Sequence, residues 1–111
     1  VKIVKKIPDH SIGRDYSDQL LRSGTSAALN YGEAQSAESR KDFIHKMKIS
    51  LKELRETFIC LKIIKEAQIC VADDMLCSAI NENGQLIGIF IKSVQTAHIN
   101  LIREKNQSKT S

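Results

Sequence analysis

The chain has 111 residues and a net charge of +4, with 41% hydrophobic and 27% charged residues. That length supports one domain with a single core, burying roughly two thirds of its unfolded surface without metal or disulfide staples. No apolar run approaches the ~20 residues that span a bilayer, so a helical membrane protein is excluded, and aromatics at only 5% argue against the stacking platform of a single-strand binder.

Residues 1–7 place Val1, Ile3, Val4 and Ile7 between lysines, which suits the last turns of a helix that Pro8 then stops. The sequence opens without an initiator Met or a signal peptide and reads as cut short at its start. A loop with Gly13 follows, and Asp15 or Ser17 can cap a helix over 15–35 by accepting a backbone N–H. Gly24, Ala28 and Gly32 stand one turn apart on it. Because Gly inside a helix costs about 1 kcal/mol against Ala, this face is expected to meet another backbone closely or to bend.

A long helix is predicted over 39–69, starting at Ser39 with Asp42 three residues on, a capping box with the shorter acid. Ile44, Met47, Leu51, Leu54, Phe58 and Leu61 recur in alternating steps of three and four and form its packing stripe. Behind them Ile49, Ile59, Cys60 and Ile63 make a second, weaker stripe, so more of this helix looks buried than one partner could cover. The last helix is predicted over 73–105, capped by Asp73 or Asp74, with the same alternation at 76, 80, 87, 90, 94, 97 and 101, missing at Asn83. Asn83-Gly84 and Gly88 are break signals, yet the unbroken pattern favours one continuous helix. The polar tail from Glu104 onward is expected to fray.

Cys60, Cys70 and Cys77 are odd in number, with no CxxC and no histidine at zinc spacing, and read as free thiols in a reducing cytoplasm. His10, His45 and His98 share no spacing that would gather a metal. No nucleophile motif, phosphate-cradling glycine loop or paired carboxylate supports catalysis, so no enzymatic activity, cofactor or small-molecule substrate is expected.

Leu20-Leu21-Arg22-Ser23, Ser26-Ala27-Ala28-Leu29-Asn30-Tyr31-Gly32-Glu33, then Ser39, Asp42-Phe43 and Ser50-Leu51-Lys52-Glu53-Leu54-Arg55-Glu56-Thr57 resemble the family of proteins encoded in intervening sequences of 23S rRNA genes. The resemblance implies an all-α, antiparallel up-down four-helix bundle, of which this chain would lack most of the first helix. It also implies a ring-like homopentamer without enzymatic activity. A related branch serves as accessory protein to the reverse transcriptase of diversity-generating retroelements, where a basic barrel contacts nucleic acid. The chain departs from the family pattern in having Ala28 where Pro is common.

Two functions follow as expectations. One is an oligomeric scaffold or interaction module, because Ile49, Ile59 and Ile63, and Leu86, Ile89, Ile91 and Ile102, exceed what a single bundle covers. The other is sequence-nonspecific binding of RNA or DNA through Arg22, Lys46, Lys48, Lys52 and Arg55 on an outer face. Interleaving of those cations with Asp42, Glu53, Glu56 and Glu66 would favour the first. Asn30 and Glu33, three residues apart in the family signature, read as a structural tie between helix ends rather than a ligand site.

Overall fold

Three α-helices run through the residues described by the computed structural model, which are 3–4, 11–68 and 73–110. They are α1 (Ser11–Gln35), α2 (Arg40–Glu66) and α3 (Asp73–Thr110), and no strand occurs among the described residues. The molecule is a rod of 62 × 20 × 16 Å, its length set by the 38 residues of α3. All-α is therefore the class, with three helices in place of the four expected. Of the predicted helix end at 1–7, Ile3 and Val4 lie in a turn and the rest falls outside the described residues.

The ends of the helices follow local chemistry. Ser39, extended at φ −143°, caps α2 by accepting the Asp42 N–H at 3.0 Å, as the capping box requires. Its far end comes at Glu66 rather than Ile69, because Gln68 turns into the left-handed region (φ 53°) while Ala67 and Gln68 donate to the Ile63 and Lys65 carbonyls. The start of α1 comes earlier than Asp15 or Ser17, which are interior residues of a helix already under way at Ser11. Both side chains are good caps, but the one weak helix former between Ser11 and Asp15, Gly13, is buried inside the helix rather than in a loop. On α3 the chain passes through Asn83, Gly84 and Gly88 without a positive φ. It also continues beyond Lys105 to Thr110, since a polar tail without Gly or Pro has no reason to leave the helix, and the Arg40 Nε–Glu104 Oε1 bridge (2.8 Å) ties the preceding turn to α2.

Packing is organised by α2, which lies antiparallel to both neighbours. Ser50 donates to the Ala27 carbonyl at 2.7 Å, and Ser23 and Thr57 hydroxyls meet at 2.7 Å, joining α2 to α1. Against α3, Ile44, Met47, Leu51 and Leu54 pack with Phe90, Val94 and Ala97. A second cluster of Leu20, Cys60, Leu61, Ile64 and Leu76 fills the other end, with Ile3 against it. Cys60, placed in the weaker stripe by periodicity, is a core residue: its thiol donates to the Tyr16 carbonyl (3.7 Å), and burial pushes its pKa up to about 11. Phe58, assigned to the main stripe, is only half-buried, with Lys62 Nζ 5.4 Å above its ring.

Between the two clusters Asn83 occupies the skipped position of the α3 stripe and is itself buried, with its Oδ1 lacking any hydrogen-bond partner. An orphaned buried acceptor costs about 1–3 kcal/mol. Leu has the same branching as Asn and continues the apolar stripe. Asn83→Leu should therefore raise the melting temperature, a gain of 1 kcal/mol being worth about 4–8 °C in a domain near this size. A drop measured by thermal circular dichroism would mean that Asn83 is hydrogen-bonded in solution.

Candidate functional site

The seven residues singled out from the sequence do not converge. Asn30 Nδ2 donates back into its own helix, to the Ser26 carbonyl at 2.9 Å, whereas Glu33 crosses to α2 and pairs with Lys46 Nζ at 2.9 Å. The two share an α1 face but engage different partners, and no cleft lies between them. The hydrogen bond and charge of Glu33 raise the pKa of Lys46. Arg22 stands on α1, near enough to Glu53 to favour its charged form.

Lys48, Lys52 and Arg55 are brought together. At steps of four and three they follow one line along the exposed side of α2 and wall a groove of about 520 Å³ against Ile91, Val94 and Gln95 of α3. The same exposed line carries Lys41 and His45 before them and Ile59 and Lys62 after. Among the described residues none of Lys48, Lys52 and Arg55 forms an ion pair; the pairs are Arg40–Glu104 and Lys46–Glu33. The acids nearest the line turn toward one another: Glu53 is held above the usual carboxylate pKa by desolvation first, then by the charge and hydrogen bond of Glu56.

A larger groove, about 710 Å³, opens on the other side of the α2–α3 seam, where α1 and α3 both rest on α2 but stand apart. Gly24, Ala28 and Tyr31 of α1 form one wall, Leu86 and Ile89 of α3 the other, and Met47 and Leu54 of α2 the floor. Tyr31 reaches across to Phe90, ring centroids 5.4 Å apart. Close approach was expected on the Gly24–Ala28–Gly32 face, yet a Cβ added at Gly24 or Gly32 would meet nothing within 4 Å. The tight contact with α2 is instead made one residue round the helix, by Ser23 and Ala27. Neither groove was legible from periodicity, because each needs the relative placement of two or three helices.

Among the described residues no group of His, Cys, Asp or Glu could hold a metal ion, and no helix is long and apolar enough to cross a membrane. Cys60 and Cys77 are free thiols, while Cys70 and His10 lie outside the described residues.

These features define an all-helical protein whose distinctive parts are surfaces. The chain belongs to the family of 23S rRNA-intervening sequence proteins, whose family model matches residues 1–88. Its fold is similar to the crystal structure of a protein of unknown function from the S23 ribosomal protein family of Bacteroides thetaiotaomicron, with 35% identity and a TM-score of 0.66, covering 71% of this chain and 72% of that one. No curated protein matches it.

The Glu53 carboxylate allows a pH test. A folded pKa above its ordinary 4.5 means that ionisation is penalised in the fold. Its favourable contribution is complete below that value and is lost as pH rises through the raised one. Glu53→Gln should melt above the unaltered protein at pH 7 and level with it near pH 4; a difference independent of pH would remove the penalised ionisation of Glu53, by desolvation and by Glu56, as its source.

Proposed function

We propose that this chain works by self-association, as an oligomeric helical scaffold or interaction module without a reaction of its own, and that the groove between α1 and α3 is the face through which it assembles. The observation that carries this reading is the apolar surface left open there. Ile89 is 61% exposed and Leu86 43%, while the opposite wall presents Gly24 and Ala28 with room above them. Covering one such Ile or Leu fully is worth about 1.5–3 kcal/mol, a large share of the 5–15 kcal/mol that holds a typical domain folded. The small residues opposite let an incoming helix settle deeply between the walls.

A closed ring or a two-fold dimer would both bury such a face, and the family resemblance favours a ring of five. The nucleic-acid alternative needs Arg22, Lys46, Lys48, Lys52 and Arg55 on one surface. Lys46 is paired with Glu33, and Lys52 and Arg22 both lie near enough to Glu53 to favour its charged form, which leaves Lys48 and Arg55 to serve it.

Light scattering on the unaltered protein at micromolar concentration should report a defined oligomer. Ile89→Asp, a change at an exposed position, should release smaller species with the helical circular dichroism retained. A monomeric unaltered protein, or an Ile89→Asp variant of undiminished size, would overturn the assignment of this face.

A further inference from the structure

The groove on the opposite side of the α2–α3 seam has a different chemistry. Its floor is apolar, with Leu51 and Val94 buried, Ile91 half-buried and Ile59 58% exposed. One wall is cationic, formed by Lys48, Lys52 and Arg55, and the other ends in the neutral Gln95. The single acid lining it is Glu56, which hydrogen-bonds Glu53, and Lys52 lies near enough to Glu53 to favour its charged form; along the wall three cations face this one acid.

From this juxtaposition we infer that the groove docks an acidic amphipathic helix of a partner protein, apolar side chains on the Leu51–Ile59–Ile91 floor and carboxylates against Lys48, Lys52 and Arg55. Charge complementarity selects the partner. The three cations stand at positions i, i+4 and i+7, a rise of roughly 10 Å, and carboxylates at the same spacing on a parallel helix meet them in register. A helix is the matching element because it can present one acidic and one apolar edge side by side, the helix-in-groove mode of recognition. A nucleic acid answers only half of the groove. Phosphates would pair with the cations, but a sugar–phosphate backbone has nothing to bury on Ile59 and Ile91, and no aromatic ring lines the groove to stack on a base. The site shares no lining residue with the α1–α3 groove.

The probe is a fluorescent synthetic helix of about five turns, with Glu at i, i+4 and i+7 and Leu on the adjoining edge, titrated by anisotropy against the full chain. A second peptide keeps every Glu and replaces Leu by Ser, and an RNA duplex of similar length serves as competitor. Micromolar binding of the Glu/Leu helix is expected, at least tenfold weaker for the Glu/Ser peptide. Ile59→Ser and Lys52→Glu, both at exposed positions, should each weaken it at least tenfold with unchanged helical signal. Equal binding of the two peptides would reduce the groove to a charge surface and overturn the inference. So would absence of binding, or RNA that binds more tightly than the helix and is indifferent to Ile59→Ser.

Discussion

The contact on which the rest of the architecture depends is the seat of α1 on α2. Ser50, with no exposed surface, gives its hydroxyl proton to the Ala27 carbonyl of the facing helix. A bond from a side chain of one helix to the backbone of the next is made only when the axes come close, and the residues around it allow that: Ser23, Ala27 and Ala34 on α1 are all small and buried. Because α1 is held through α2 and meets α3 only by side chains, at the Tyr31–Phe90 rings and in the cluster that holds Leu20 and Leu76, α2 carries the assembly. Of the second apolar stripe on α2, Cys60 is taken into this packing, whereas Ile59 and Ile63 stay exposed.

A polar layer interrupts the core at mid-length. Ser23 Oγ lies 2.9 Å from the Gln19 carbonyl, Thr57 Oγ1 3.0 Å from the Glu53 carbonyl, and the two hydroxyls 2.7 Å from each other. Two hydroxyl protons must serve three contacts, so one contact always waits for a proton. Asn83 stands at the same level, since Gly84 beside it lies against Phe58 beside Thr57. Such a layer costs stability relative to aliphatic packing, and in return helices that slid by a turn would strand hydroxyls among Leu and Ile. Register is what the layer enforces.

How much of this was legible in the sequence depends on residue size. The α2 stripe and the Ser39 cap were readable because Ile44, Met47, Leu51 and Leu54 are large and Ser39-Asp42 is a local motif. Continuity of α3 through Asn83-Gly84 was readable because its apolar pattern kept phase on both sides. The α1 seam was not. Its buried positions are Gly13, Leu20, Ala27 and Ala34, which recur every seven residues, and Ser23 between them; four of the five are too small or polar for hydrophobic periodicity to register, and the eye goes to Gly24 and Gly32 one residue away. Among the charged residues, type and helical face were legible for Lys48, Lys52 and Arg55. The withdrawal of Lys46 to Glu33 was not, because its partner sits on another helix thirteen residues back.

The open groove is a consequence of where α2 places its two partners. Successive residues on a helix point about 100° apart. Ser50 faces α1 and its neighbour Leu51 floors the α3 side, so the two flanking helices diverge from α2 by an angle that long side chains such as Tyr31 and Phe90 must bridge. Met47 and Leu54 project into the gap between those directions, which makes them the floor of the α1–α3 groove and leaves its walls to whatever α1 and α3 turn toward each other. Large side chains on both walls would fill the gap from within and close it. Here one wall carries Leu86 and Ile89 and the other Gly24 and Ala28, with Tyr31 alone reaching across to Phe90, so the space beside those rings stays open and apolar. The glycines that weaken α1 as an isolated helix thus have a physical role only when something outside these three helices lies against them.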